Sequence, residues 1–193
     1  MSTQSNSDRF YVITGGPGSG KTSLLDALAA RGYERSVEAG RALIQQQVAI
    51  GGCALPWADR VLFSELMLNW EIRSYQMAEK IPGLVFFDRG VPDIAGYLTL
   101  LKFHIPDHVR KASEIFRYNR RVFLAPPWPE IYTQDVERKQ DFAEAVRTYQ
   151  ALCDTYLDQG YEIHELPRAT VAERVRFVLA VCPDATQQSP VLP

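Results

Sequence analysis

Gly15-Gly16-Pro17-Gly18-Ser19-Gly20-Lys21-Thr22 completes the spacing G-x-x-x-x-G-K-[ST]. This pattern forms a phosphate-binding loop when it joins a strand to a helix. Glycines let consecutive backbone N–H groups turn inward around an anion, and a helix opening behind them adds its own unsatisfied donors. Gly15, Gly16, Pro17, Gly18, Ser19, Gly20, Lys21, Thr22 and Ser23 are therefore the candidates for cradling a nucleoside triphosphate. Lys21 is suited to the terminal phosphates and the Thr22 hydroxyl to Mg²⁺. The flanks agree. Upstream, Phe10-Tyr11-Val12-Ile13-Thr14 reads as a buried strand; downstream, Leu24, Leu25, Leu28 and Ala29 recur at helical spacing until Gly32.

Outward from the loop, strands alternate with helices. A weak second strand is expected from Tyr33 through Val37, ending at Glu38, followed by helices over Arg41–Ile50 and about Trp57–Lys80. Gly83–Phe87 is a third strand ending at Asp88, and helices follow over Pro92–Lys102 and Pro106–Tyr118. Arg121–Ala125 is the fourth strand, Asp141–Asp158 a helix, and Tyr161–Leu166 the fifth strand. The last helix runs over Thr170–Val181, with Thr170 and Glu173 spaced as a capping box. Such alternation means a parallel sheet covered on both faces.

Composition narrows the classes. The chain has 193 residues, a single domain by default, and a net charge of −2, which gives no basic field for nucleic acid. Three cysteines without C-x-x-C spacing fit a reduced, cytoplasmic protein better than a disulfide framework. No apolar run is long enough to span a membrane, and Met1–Asp8 lacks the apolar region of a signal peptide. Residues 183–193 are expected to be a loose tail.

In doubly wound sheets, ligands sit beyond the carboxyl ends of the strands, where several charged residues fall. Asp88 closes a buried strand as a Mg²⁺-holding carboxylate would; the alternative is a cap on the following turn. Arg89 follows it where a hydrolytic motor would carry a second carboxylate, and its planar fork matches phosphate oxygens. Glu38 is placed to orient or deprotonate an acceptor hydroxyl, or else to cap the next helix. Arg41 either pairs with Glu38 or reaches phosphate. The segment Pro126–Gln140 stands where a closing lid belongs, with Arg138 its best cation and Trp128 an anchor, a stacking surface or a core residue. Arg120 and Arg121 lie at the far end of the fourth strand and read as structural. Pro106 interrupts the His104–His108 spacing and argues against a metal pair.

The run Tyr11–Thr22 resembles the phosphate-binding loop of small nucleotide and nucleoside kinases. Together with Val37–Arg41, Phe86–Gly90 and Leu124–Trp128, it is similar to a bacterial AAA-type ATP-binding domain family grouped with the ribosylnicotinamide kinases. The likeness covers roughly residues 9–182. It implies a P-loop kinase-type fold binding ATP and Mg²⁺ at Gly15–Thr22 and Asp88, and for many members it implies no established substrate. The lid is poorer in arginine than that of typical nucleoside kinases.

The fold expected is an α/β P-loop NTPase three-layer sandwich, its five parallel strands in the order 2-3-1-4-5. The expected activity is ATP- and Mg²⁺-dependent phosphoryl transfer to a small hydroxyl-bearing metabolite, a nucleoside or cofactor precursor. Lys21, Glu38, Asp88, Arg89 and Arg138 are its catalytic candidates, with Thr22 and Asp88 holding the metal. ATP and that acceptor are the partners expected, without nucleic acid or membrane and with a homodimer allowed. The alternative is a nucleotide-binding switch or NTPase acting on a protein partner, against which the lack of an N-K-x-D element counts.

Overall fold

Strand β1 (Phe10–Gly15) runs through the middle of the sheet, and all six of its residues are buried. The structure is a computed structural model that describes residues 6–132 and 141–182. β3 (Val85–Asp88) and β4 (Arg121–Ala125) pair in parallel on either side of β1, with Phe10 opposite Val85 and Ile13 opposite Phe123. β2 (Glu34–Arg35) lies outside β3 and β5 (Glu162–Glu165) outside β4, both parallel to their neighbours. The order β2-β3-β1-β4-β5 is the one expected. Strands covered on both faces must be apolar throughout, which is why β1 and β3 read as unbroken runs and the edges β2 and β5 do not.

Side chains alternate across β1 and sort the core into two layers. Phe10 and Val12 face one side, packed with Leu68, Tyr75, Ile94, Leu98 and Tyr156. These come from α4 (Arg60–Ala78), α5 (Val91–Leu100) and α7 (Phe142–Asp158), with α6 (Asp107–Ile115) adding Val109. Tyr11 and Ile13 face the other side, against Leu24, Leu25 and Leu28 of α2 (Lys21–Ala29) and Val175 and Val178 of α8 (Val171–Val181). Sheet between two helix layers is the three-layer sandwich. α3 (Ala39–Ile50) packs on α4 through Leu43 and Phe63, and a single turn α1 (Asn6–Arg9) precedes β1.

The second strand departs from expectation. Only Glu34 and Arg35 pair with β3, after which the Ser36 N–H donates to the Phe86 carbonyl at 3.0 Å and the chain leaves the sheet. Val37 is 62% exposed, so no apolar contact draws the strand further. Glu38 consequently stands at the start of α3 and not at a strand end. α4 starts later than expected because Asp59 caps it, accepting from the Leu62 N–H at 2.9 Å. The Thr170–Glu173 capping box forms as expected. Arg121 Nη1 donates to the Val181 carbonyl at 2.9 Å, and Arg120 pairs with Glu162 at the surface. Among the described residues, no group of three metal-ligating side chains converges and no helix is long and apolar enough to cross a membrane. The expected tail at 183–193 lies outside the described residues.

Candidate active site

The phosphate-binding loop joins β1 to α2. Gly20 caps α2 at φ 74°, a left-handed conformation, and a Cβ there would lie 2.6 Å from Arg174 Nη1. The backbone angle is what calls for glycine, and a side chain here would also displace the tip of Arg174. Ser19 Oγ donates to the Gly16 carbonyl at 2.8 Å. Lys21 is 5% exposed, and its Nζ donates to the carbonyls of Gly15 at 3.0 Å and Gly16 at 2.9 Å. A buried ammonium held by loop carbonyls puts a full positive charge beside the N-terminus of α2, the end whose dipole favours anions. Thr22 and Ser23 are exposed on that first turn.

Asp88 ends β3 beside Ile13 of β1 and is 2% exposed. Burial pushes its carboxyl above the usual range, opposed by Lys21 and reinforced by Glu38. Its Oδ1 has no hydrogen-bond partner among the described residues. The turn that follows is held by other groups: the Arg89 N–H donates to the Ile13 carbonyl at 3.1 Å, and the Gly90 N–H to Asp93 Oδ2 at 2.8 Å. An orphaned, buried carboxylate oxygen near the phosphate loop's lysine fits a divalent cation.

Arg89 adopts φ 73° and turns its side chain inward, where Nη1 lies 3.3 Å from Asp93 Oδ1. Burial alone would lower its pKa, but the charges of Asp93, Glu38 and Asp88 outweigh it and hold the guanidinium firmly charged. Asp93 also accepts from the Thr14 hydroxyl, and from the Tyr156 hydroxyl at 2.6 Å. That carboxylate therefore ties β1, α5, α7 and Arg89 together. Glu38 does not cap α3 with its side chain; it lies in the wall of a cavity.

The cavity has a volume of about 1050 Å³ and is bounded by α3, α4, α5 and α7. Pro17 of the phosphate loop reaches it, as do Glu38, Arg89 and Asp93. Phe63, Met67, Tyr97 and Leu152 form apolar walls, with the rings of Phe63 and Tyr97 edge to face at 6.1 Å. Burial pushes the Tyr97 hydroxyl up to about 12. Arg41 and Trp57 lie toward the rim, both exposed. The arrangement sets a phosphate trap against one end of a compartment that is large enough for a small metabolite and mostly apolar.

Three site residues were not expected. Asp93 follows Gly90 by three positions, the spacing of an acidic group closing a helix start, and that spacing signals its capping role but not its place in the site. Glu71 shares the cavity face of α4 with Phe63 and Met67, and a lone acid on an apolar stripe was the available signal. Arg174 donates to the carbonyls of Gly20 at 3.1 Å and Ser19 at 3.2 Å, with its guanidinium 6.0 Å from the Trp128 ring. Nothing local distinguishes it from its charged neighbours on α8. Trp128 is half-buried. Tyr132 and Phe142, which bracket residues 133–140, meet edge to face at 5.5 Å. Arg138 lies outside the described residues.

A family model described as an AAA domain matches residues 10–174. No curated protein matches the sequence. Among solved structures, the NadR protein in complex with NR superposes with a TM-score of 0.65 at 15% identity. That match covers 92% of this chain and 51% of the other, so the chain spans about half the length of the NadR chain. Deoxyadenosine kinase from M. mycoides gives a TM-score of 0.63 at 12% identity, covering 89% of this chain and 97% of that one. Thymidylate kinase from Ehrlichia chaffeensis gives 0.59 at 14% identity, covering 90% and 97%. The shared property is the fold, a P-loop kinase-like α/β sandwich.

Proposed function

The chain belongs to the AAA-domain family whose model spans residues 10–174, and on that premise we propose that it is an ATP- and Mg²⁺-dependent kinase of a small metabolite. The acceptor is a hydroxyl-bearing nucleoside or cofactor precursor. One observation carries this reading: a single cavity of about 1050 Å³ runs from Pro17 of the phosphate loop past Glu38 and Arg89. A donor phosphate and an acceptor would meet there. The kinases among the structural neighbours, and the NadR protein solved with NAD and AMP-PNP, support the same assignment.

Phosphoryl transfer asks the protein mainly for positioning and charge. Lys21 would exchange the Gly15 and Gly16 carbonyls for the terminal phosphate oxygens. Thr22 and Asp88 would hold the Mg²⁺, the latter through the oxygen that lacks a partner. The metal ion supplies neutralisation of charge on the phosphates. Glu38 orients the acceptor hydroxyl and receives its proton, and Arg89, held by Asp93, clamps the transferring group. Arg138 is the lid cation of this scheme. Cys53, Cys153 and Cys182 form no disulfide among the described residues, which supports a reducing, cytoplasmic setting.

The test measures ADP formation from ATP and Mg²⁺ by the protein alone, with a pooled metabolite fraction, and with a protein fraction. Acceleration by the metabolites alone is expected, and Glu38→Gln should cut that accelerated rate by about 10²–10⁴-fold while leaving ATP affinity unchanged. Acceleration only by the protein fraction would replace the kinase with a nucleotide-dependent switch.

A further inference from the structure

Phe63, Met67 and Glu71 follow one another at four-residue spacing on α4, and all three line the cavity. That spacing places them along one face of the helix. Two are apolar. The third is a carboxylic acid that is 2% exposed, with an Oε2 that has no hydrogen-bond partner among the described residues. Buried polar atoms without partners are uncommon, and one in a cavity wall points to a ligand.

The charged and titratable groups facing Glu71 are Asp88 at the end of β3, Arg89 after it, Asp93 of α5, Glu38 before α3, and Tyr118 ahead of β4. Three are carboxylates. The cation among these groups, Arg89, lies against Asp93, and the Tyr118 hydroxyl accepts from the Val91 N–H at 3.3 Å. Burial first, and then the negative charges of Asp93 and Asp88, raise the Glu71 carboxyl well above its ordinary range. A carboxyl so placed favours its neutral form, with an O–H donor beside a C=O acceptor.

We propose that Glu71 determines acceptor specificity, its carboxyl donating one hydrogen bond to, and accepting one from, a planar ligand edge that carries the complementary pair. A nucleobase edge with a ring nitrogen beside an amino group has this chemistry, and so does a primary carboxamide. The ring body lies against Phe63 and Met67, with Tyr97 opposite, and the hydroxyl end extends toward Glu38 and Pro17. This inference rests on the kinase reading above and narrows its acceptor to one chemical class.

The test is calorimetric titration of the protein saturated with Mg²⁺ and AMP-PNP, which keeps the probes out of the nucleotide site. Cytidine, adenosine and benzamide are the probes, and purine riboside, which lacks the amino group, is the control. Wild type, Glu71→Gln and Glu71→Leu are compared from about pH 5 to pH 9. The amide of Glu71→Gln keeps both a donor and an acceptor, so its affinity should stay within about 3-fold of wild type, while Glu71→Leu should lose about 10–100-fold. Wild-type affinity should fall as the pH rises and the acid ionises, and Glu71→Gln should lack that component. The slope due to Asp88 is common to both proteins and cancels in the comparison. Tighter nucleosides than benzamide assign the edge to a base; the reverse assigns it to a carboxamide.

Equal losses in Glu71→Gln and Glu71→Leu would overturn the neutral-acid contact, as would wild-type affinity in Glu71→Leu or tight binding of the control. The kinase reading would survive those results, because the probes still bind wild type. Failure of every probe to bind wild type would overturn the acceptor class proposed here, and acceleration of ADP formation by the metabolite pool tests the kinase reading separately. If Glu71→Leu does not fold, the pH profile of Glu71→Gln decides, and a profile identical to wild type would refute the proposal.

Discussion

Replacing Asp93 by alanine removes the acceptor of four donors at once: the Thr14 hydroxyl, the Gly90 N–H, the Tyr156 hydroxyl and the Arg89 guanidinium. Tyr156 is fully buried and the Arg89 side chain is 19% exposed, so water reaches the first not at all and the second poorly. Breaking a buried charge pair by deleting one partner costs about 3–5 kcal/mol, and unpaired neutral donors add to that unless the hole fills with water. We take about 3–5 kcal/mol as the loss. At 193 residues each kcal/mol moves the melting temperature by about 2–4 °C, so a fall of roughly 6–20 °C is expected. Asp93→Asn should recover only part of this, because its amide nitrogen must point at one of two pairs of donors. Urea unfolding followed by circular dichroism gives the free energies, and a cycle with Arg89→Ala isolates the coupling, expected at about 0.5–3 kcal/mol. A melting temperature within about 2 °C of wild type, or no coupling to Arg89, would refute the view that Asp93 holds the site together.

Lys21→Ala should weaken ATP binding by about 10–100-fold, since a contact to a charged group is worth about 1.5–3 kcal/mol; unchanged affinity together with unchanged turnover would remove the phosphate loop from the site. Asp88→Asn should fold normally but lose most of the gain in ATP affinity that Mg²⁺ provides, and an equal gain in both proteins would make Asp88 structural. Glu71 contributes to stability through its raised pKa: the contribution is complete below the ordinary carboxylate value and is lost as the pH rises through the folded value. Glu71→Gln should therefore gain stability relative to wild type across that window, and a pH-independent difference in unfolding free energy would show that the acid is not held neutral.

β1, β3 and β4 were legible in the sequence because burial on both faces demands unbroken apolar runs, and the residues at their carboxyl ends came with them. β2 was legible in its place but not in its extent, because a two-residue edge strand is bounded by its partner's backbone and not by its own side chains. Moving its end from Glu38 to Arg35 turned Glu38 from a strand terminus into the entry to α3. The phosphate loop, Asp88 and Arg89 could be named from local pattern. Asp93 and Arg174 acquire their meaning from contacts 63 and 155 residues away, to Tyr156 and to Ser19, which no local window contains. Glu71 had a local signal, one acid on an apolar helical stripe, but its lack of a partner is visible only once the surrounding elements are assembled.

The most direct measurement follows the terminal phosphoryl group of ATP labelled with heavy oxygen, in the presence of Mg²⁺ and a pooled metabolite library, with products identified by mass. The label is expected on one small hydroxyl compound, formed in equal amount to ADP, and absent when Lys21→Ala or Glu38→Gln replaces the wild type. Label recovered only in inorganic phosphate, at a rate the library does not change, would contradict transfer to an acceptor in the cavity.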